Sequence, residues 1–262
     1  MVRSGQGKTG RKNHKGEKEM ELIKMLARVC GAWIAAYLIC GGVHEGSHVV
    51  AGLVQGWKFE LLVIGPFKLY RDEKDDKVKF GLEKNLVLWG GIGGSYPRKW
   101  SDKVIKQFAW VLLAGPVSSI ILGLLCLIPL FFKVSIFWAM MAFVPLGMGI
   151  MCLIPTVKTG ILYSDGGRFL RIIKGGKTYA EEKAIFEAAM VGRCEGCDEY
   201  DEEGINIMIA SRDKAFQYLG HYYGYVDMKE KGRDDEAQAH LGSMKAIEGE
   251  VPKTVIEMCV IE

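Results

Sequence analysis

Two histidines and a glutamate lie close together in an otherwise apolar stretch of this sequence. His44 and His48 are four residues apart, and Glu45 directly follows the first histidine. On an α-helix, side chains at positions i and i+4 share a face and lie about 6 Å apart along the axis. Two imidazole nitrogens at this spacing can bind one zinc ion, and a glutamate beside the metal can act as a general base. The spacing therefore predicts a helical zinc site with His44 and His48 as ligands and Glu45 as the base.

The apolar surroundings of the two histidines strengthen this prediction. Residues 29–54, 105–132 and 134–157 are almost entirely apolar, and each exceeds the ~20 residues that a helix needs to cross a bilayer. An ionisable side chain at membrane depth costs ~2.5 kcal/mol or more unless it is paired or functional. Of the five histidines in the chain, only His44 and His48 lie in apolar sequence. Coincidence is therefore a poor explanation for their spacing.

A catalytic zinc site needs a third protein ligand and one open position. No acidic residue occurs between Asp102 and Asp165, and Asp165 follows the third apolar stretch. Gly166 and Gly167 come next, and glycines let a backbone approach its neighbours closely. At this point two interpretations of Asp165 remain open: it is a turn residue that caps the membrane helix, or it is the third zinc ligand.

The hydropathy pattern predicts an α-helical membrane protein with a three-helix transmembrane core. The predicted helices cover about 25–54, 105–132 and 134–157, and only Lys133 separates the last two, which indicates a tight hairpin. Short segments rich in aromatic and β-branched residues predict a small membrane-associated β-sheet at about 57–92, between the first two core helices. The predicted strands, and the glycine-rich loop that ends the sheet, are Trp57–Ile64, Phe67–Arg71, Val78–Leu82, Leu86–Trp89 and Gly90–Gly94.

Charge divides the chain into three parts. Residues 1–24 are basic and aperiodic and are predicted to be disordered, 25–170 form the membrane core, and 171–262 form a soluble helical tail. Residues 1–179 carry 25 Lys/Arg against 12 Asp/Glu, whereas 180–262 carry 9 against 19. Basic residues beside apolar spans set topology, so no nucleic-acid partner is required, and the acidic tail could bind a protein partner. Periodicity predicts tail helices at 178–192, 205–228 and 234–247.

Three motifs together give the sequence a recognisable pattern, which covers about residues 29–170. They resemble those of the site-2 protease family of intramembrane zinc metalloproteases, in both order and spacing. The motifs are His-Glu-Gly-Ser-His at 44–48, Ala-Gly-Pro-Val-Ser-Ser at 114–119, and Leu-Ile-Pro at 153–155 with Asp-Gly-Gly at 165–167.

The resemblance implies one zinc ion per chain, held by His44, His48 and Asp165, with Glu45 as the base. It also implies that the chain hydrolyses peptide bonds in membrane-spanning or membrane-associated peptides. The interval from Pro155 to Asp165 is longer than in the commonest members of the family. It resembles a subgroup linked to peptide export and bacteriocin-like clusters.

Two positions depart from the family pattern. Ser119 and Cys152 stand where members of the family commonly have asparagine. Side-chain amides at these positions could align a substrate strand or stabilise an oxyanion, so their replacement affects substrate handling rather than metal binding. We expect Ser118, Ser119 and Cys152 to contact the substrate in their place.

The predicted sheet has two possible roles, which can both hold. An extended substrate can add a strand to an exposed sheet edge through backbone hydrogen bonds. These bonds would also replace the helical hydrogen bonds that a substrate loses as it unwinds. The sheet could instead be an amphipathic cap that lies on the membrane surface.

Loop charges predict a multi-pass protein of the cell membrane with a cytoplasmic sheet and tail. Residues 55–104 carry ten Lys/Arg, whereas the hairpin tip carries only Lys133. The seven Lys/Arg of residues 1–24 oppose this orientation, because it places the N-terminus outside.

Two other functions remain open. One is a membrane zinc protease of another clan, in which a tail glutamate (Glu181, Glu182 or Glu187) is the third ligand. The other is a non-proteolytic peptide-binding or immunity protein with the same fold. A single Cys-x-x-Cys pair at 194–197 indicates a second metal or redox site only weakly, because no second Cys-x-x-Cys pair accompanies it.

Overall fold

The computed structural model describes residues 7–155, 158–159 and 162–259. In this part of the chain, nine α-helices accompany one four-stranded and one two-stranded sheet. The elements, in chain order, are α1 Gly7–Val54, β1 Lys58–Ile64, β2 Phe67–Arg71, β3 Val78–Leu82, a 3₁₀ turn Leu86–Gly90, β4 Ile92–Tyr96, α2 Val104–Phe132, α3 Ile136–Leu153, β5 Lys158–Thr159, β6 Leu162–Tyr163, α4 Asp165–Lys174, α5 Gly176–Ala188, α6 Glu202–Ile209, α7 Lys214–Glu230, α8 Asp234–Ile247, a 3₁₀ turn Glu248–Glu250 and α9 Lys253–Met258.

Three helices are long and apolar enough to cross a membrane: Glu17–Val54 of α1, together with α2 and α3. The three predicted apolar helices are thereby confirmed as helices of membrane length. The third ends at Leu153 rather than at 157, because Ile154 precedes a proline and is held in extended backbone. The first begins at Gly7, so residues 7–24, predicted to be disordered, are helical here, while 1–6 lie outside the described residues.

Glycines allow α2 and α3 to approach each other closely. A Cβ atom added to Gly123 of α2 would lie 2.7 Å from the backbone oxygen of Ala142. One added to Gly149 of α3 would lie 2.7 Å from the backbone oxygen of Pro116. Small residues at such contacts are typical of helices that associate within a membrane, where packing rather than the hydrophobic effect holds them together.

The small antiparallel sheet is confirmed, with the strand order β3-β2-β1-β4. Its fourth strand was predicted in the wrong place: Leu86–Gly90 is a 3₁₀ turn, and the predicted loop at Gly90–Gly94 contributes to β4. The side chain of Asn85 accepts a hydrogen bond from the Val87 N–H and so starts the turn. Glycines fit β4 because this strand lies directly against α1, where a side chain on Gly93 would have no room.

One face of the sheet exposes a row of apolar side chains. Alternate residues of β2 and β3 share this face, and Phe67, Leu69, Val78, Phe80 and Leu82 are all exposed. A contiguous exposed apolar surface of this kind is typical of a membrane or protein contact.

The turn between β1 and β2 lies beside the apolar part of α1. A Cβ atom added to Gly42 would lie 3.2 Å from the Ile64 side chain, and one added to Gly65 would lie 2.8 Å from that of Leu38. The sheet therefore runs alongside a helix of membrane length.

The tail helices differ from the prediction in two respects. The predicted helix at 205–228 is divided into α6 and α7, because Asp213 accepts a hydrogen bond from the Ala215 N–H and caps a new helix. The predicted boundary at 170/171 falls inside α4.

The tail and the core share one hydrophobic cluster. Trp57 and Ile105 contribute to it from the membrane part, Ile172 from α4, and Phe186 from α5. The tail is consequently packed onto the core rather than joined to it only by a linker.

Candidate metal centre

The predicted ligands meet where α1 and the start of α4 come together. The Nε2 atoms of His44 and His48 lie 3.4 Å and 3.7 Å from Oδ2 of Asp165. Both histidines are buried, and the three ligand atoms all lie within 4.8 Å of one another. The three residues therefore form a group that can hold a metal ion.

These distances fit a tetrahedral ion. Zinc binds histidine nitrogen and carboxylate oxygen at about 2.0–2.2 Å, which places neighbouring ligand atoms about 3.3–3.6 Å apart in a tetrahedron. The His44–Asp165 separation of 3.4 Å falls within that range, and the His48–Asp165 separation of 3.7 Å lies just beyond it. Three protein ligands leave a fourth position open, which is the arrangement of catalytic zinc sites.

The other ring nitrogen of each histidine has a partner of its own. Nδ1 of His48 lies 2.7 Å from the backbone oxygen of Val111, and Nδ1 of His44 lies 2.9 Å from Oγ of Ser119. A carbonyl oxygen only accepts, so His48 must carry its proton on Nδ1, and its Nε2 lone pair is free for a metal. Such partners fix the ring orientation of metal-binding histidines.

Gly115 lets the backbone of α2 lie against the ligand atoms. A Cβ atom added there would clash with Nε2 of His48 and lie 2.9 Å from Nε2 of His44. Gly115 belongs to the Ala-Gly-Pro-Val-Ser-Ser motif, but the motif alone indicates no role for it. The sequence signal for such a role is the glycine itself, which lies inside an apolar helix. Glycine there lowers helix stability by about 1 kcal/mol relative to alanine, so its presence indicates that a side chain would not fit.

Glu45 lies between the histidines and the edge strand β4. A Cβ atom added to Gly91 would lie 3.0 Å from Cγ of Glu45, and the backbone N–H of Gly93 is a partner of its carboxylate. Gly91 has a φ of 104°, a conformation that glycine adopts without strain. Both glycines lie in the segment that was predicted to be a loop, and nothing in the sequence connected them with Glu45.

The N-terminus of α4 holds Asp165 against the end of α3. Oγ of Ser164 accepts from the Gly167 N–H at 3.2 Å and donates to the Ile154 oxygen at 2.7 Å. A Cβ atom added to Gly166 would clash with the backbone of Leu153. The glycines after Asp165 do permit a close approach, but to α3 rather than to the first helix.

The three predicted substrate contacts lie in different places. Ser119 is fully buried against His44, so it supports a ligand instead of facing a substrate. Oγ of Ser118 donates to the Gly115 oxygen of its own helix at 2.8 Å. Cys152 is partly exposed and lies near enough to the carboxylates of the site to interact with them electrostatically.

The tail glutamates are engaged elsewhere. Glu181 and Glu182 pair with arginines of α4 at 2.6 Å and 2.7 Å, and Glu187 lies 3.6 Å from Lys183. Among the described residues, the acidic member of the metal-ligand group is Asp165. The alternative in which a tail glutamate is the third ligand thus has no geometric support.

Cys194 and Cys197 are buried in the cluster that the tail shares with the core. Burial raises the pKa of both thiols, to about 12 for Cys197. Among the described residues, no third His, Cys, Asp or Glu side chain joins the pair in a metal-ligand group, so these cysteines pack here as small apolar side chains.

Comparisons of the chain with protein-family models, curated proteins and solved structures found no match. The function is therefore inferred from the geometry of the site and from the motifs.

Proposed function

We propose that this protein is an intramembrane zinc metalloprotease that hydrolyses peptide bonds of membrane-spanning or membrane-associated peptides. One observation carries the proposal: His44, His48 and Asp165 converge at ligand distances beside Glu45. His44, Glu45 and His48 lie on a helix of membrane length, and Asp165 begins the short helix α4. Two buried histidines and an aspartate, beside a carboxylate that is not itself a ligand, are typical of a hydrolytic metal site.

In this proposal the protein side chains hold the metal and move a proton. His44, His48 and Asp165 would bind the zinc ion, which supplies a Lewis acid to polarise the peptide carbonyl and the attacking water. Glu45 accepts a proton from that water and then donates it to the leaving amine nitrogen. Burial around the two histidines excludes bulk water and strengthens the electrostatic interactions within the site.

The edge strand β4 is suited to present an extended substrate to Glu45. In the sheet, β4 pairs only with β1, so its other edge can accept a further strand. Gly93 of this strand, and Gly91 just before its first residue, lie directly against Glu45. A peptide that pairs with this edge would exchange its helical hydrogen bonds for those of the sheet, close to the catalytic base.

The apolar surfaces support a location within the bilayer. Three helices of membrane length and the exposed apolar face of the sheet would together contact lipid. We further propose a multi-pass topology in the cell membrane, with the sheet and the tail on the cytoplasmic side.

The proposal is tested by separating metal binding from hydrolysis. Purified wild-type protein should contain one zinc ion per chain, and His44→Ala and Asp165→Asn should lose it. Glu45→Gln should retain the metal and reduce hydrolysis by ~100-fold or more, because a general base contributes ~10²–10⁴-fold. The measurements are metal content and the accumulation of uncleaved membrane peptides in cells that carry each variant.

A non-proteolytic peptide-binding or immunity protein is the second candidate, and one observation favours it. Ser119 is buried against His44, and Cys152 has no amide. Neither can provide the side-chain amide that the resemblance implies at these positions. Undiminished biological activity of Glu45→Gln would establish this second function in place of proteolysis.

A further inference from the structure

Beyond Asp165, helix α4 carries two arginines that connect it to the tail. Nε of Arg171 donates to Glu182 at 2.7 Å, and its terminal nitrogen donates to Glu181 at 2.6 Å. Nε of Arg168 donates to the other oxygen of Glu182 at 2.9 Å. Both glutamates belong to α5, the first helix of the tail after α4. These four residues form what we call the α4–α5 ion cluster.

The two glutamates of the ion cluster are buried, and aromatic rings flank its two partly exposed arginines. Glu182 has no exposed surface, and Glu181 is 5% exposed. The Arg171 guanidinium lies 4.4 Å from the ring centroid of Tyr163 and 4.9 Å from that of Phe216, a residue of α7. Two positive and two negative charges balance within the cluster, so removing one member leaves an unpaired buried charge, which is strongly destabilising.

The cluster also reaches the membrane helices. The Arg168 guanidinium lies 4.8 Å from the ring centroid of Phe108 in α2. Helix α4 is therefore held between α2 on one side and the tail helices on the other. Arg168 is three positions after Asp165 and Arg171 is six positions after it, and in a rigid helix six positions span about 9 Å.

We propose that the α4–α5 ion cluster positions Asp165 as a metal ligand, so that metal affinity at the site depends on the docked tail. The inference rests on the metal centre of the proposed function. Since Asp165 begins α4, a displacement or rotation of this helix moves its carboxylate relative to His44 and His48 on α1. The arginines are thus positioning residues, and a partner that draws α5 away from α4 would weaken metal binding.

The test compares Arg171→Met and Glu182→Gln with Lys229→Met. Lys229 pairs at 2.6 Å with Asp234 on the exposed surface of the tail, far from α4 in the chain, and is the matched control. Metal affinity is measured by competition with a zinc chelator, and the mobility of α4 by hydrogen exchange of its backbone amides. The two cluster variants should bind zinc ~10-fold or more weakly, as expected for residues that orient ligands, and α4 should exchange faster. The control should match wild type in both.

Arg171→Lys separates positioning from general stability. Lysine keeps the charge but cannot bridge both glutamates with a planar fork, so metal affinity should lie between those of wild type and Arg171→Met. Hydrogen exchange of α7 reports whether the tail stays folded. If Arg171→Met also speeds the hydrogen exchange of α7, the tail itself is destabilised in that variant. Glu182→Gln and Arg171→Lys, which change fewer atoms, then decide whether the cluster positions Asp165.

Two outcomes overturn the inference alone: wild-type zinc affinity in Glu182→Gln and Arg171→Lys, or unchanged exchange of α4 in both. Wild-type protein that binds no zinc would overturn the metal centre itself, and with it the proposed function. His44→Ala, which removes a ligand on α1 and leaves the residues of α4 unchanged, serves as the zinc-free reference for the chelator assay.

Discussion

Gly115 of α2 lies so close to His44 and His48 that there is no room for a side chain at this position. It faces Nε2 of both histidines, so any side chain would enter the space between the α2 backbone and the ligand atoms. The ligands cannot retreat easily, because hydrogen bonds to Val111 and Ser119 fix both rings from the other side. A single methyl group at this position therefore acts on metal geometry rather than on overall folding.

We predict that Gly115→Ala weakens zinc binding by ~10-fold or more, since the rings must turn away from their supporting partners. Gly147→Ala is the matched control, because a Cβ atom there meets nothing within 4 Å in the apolar helix α3. Chelator competition on both purified variants measures the effect. Equal zinc affinity in the two variants would contradict the ligand geometry described here.

At the residue scale, the sequence predicted those features of the site that depend on local spacing. His44, Glu45 and His48 lie within one helical turn or so, and their relative placement follows from helix geometry. Asp165 required a motif in addition, because its approach to α1 depends on the tertiary fold. The partner of His44 could not be predicted, since Ser119 reaches it from another helix.

Strand β4 is the element that links the sheet to Glu45, the proposed catalytic base. Its backbone lies so close to α1 that a Cβ atom on Gly93 would clash with the backbone oxygen of Glu45. A Cβ atom on the neighbouring Gly94 would lie 3.4 Å from the flexible side chain of Glu60, an ordinary contact. Two adjacent glycines of one strand therefore differ sharply in the space around them.

We predict that Gly93→Ala lowers peptide hydrolysis by ~10-fold or more while the zinc content stays at one per chain. The added methyl group displaces β4 from Glu45, and even a 1 Å misplacement can cost ~100-fold in rate. The three atoms nearest to this methyl group all belong to Glu45. Gly94→Ala should retain wild-type activity. Loss of zinc in Gly93→Ala, or equal hydrolysis by the two variants, would show that β4 does not act on the base.

At the element scale, the long apolar helices and the strands β1 to β3 were predictable, whereas β4 and the break between α6 and α7 were not. The three membrane-length helices follow from runs of apolar residues. The glycines of β4 gave no strand signal, because this strand forms through close packing on α1 rather than through intrinsic preference. The break between α6 and α7 depends on an aspartate cap that helical periodicity alone does not reveal.

For the molecule as a whole, the connections between elements place the sheet and the tail on one side. If α1, α2 and α3 each cross the bilayer, the sheet joins α1 to α2 on one side, and the hairpin of α2 and α3 turns on the other. Helix α3 then returns the chain to the side of the sheet, where the tail packs against the start of α2. The shared hydrophobic cluster is consistent with this arrangement, since it contains residues from both parts.

Charge then decides which side faces the cytoplasm. Residues 55–104 carry ten Lys/Arg and residues 158–177 carry five, on the side of the sheet. The other side carries seven in residues 1–24 and one at the hairpin tip, Lys133. Helix α1 has 48 residues, which span about 72 Å, so its basic start extends beyond a hydrocarbon core of about 30 Å. The Lys/Arg of residues 1–24 oppose this orientation, but those on the side of the sheet outnumber them.

We therefore predict that a cysteine at the hairpin is labelled from outside the cell and one in the tail is not. Val134→Cys is suitable because Val134 is 91% exposed at the hairpin, and Gly249→Cys because a side chain there meets nothing within 4 Å. Cys30, an exposed native cysteine, is replaced by serine in both variants to remove background labelling. A membrane-impermeant maleimide should label Val134→Cys in intact cells but Gly249→Cys only after permeabilisation. The reverse pattern would place the sheet, the tail and the open side of the metal centre outside, and the charge argument would be wrong. Labelling of both variants in intact cells would mean that α2 and α3 do not cross as a hairpin.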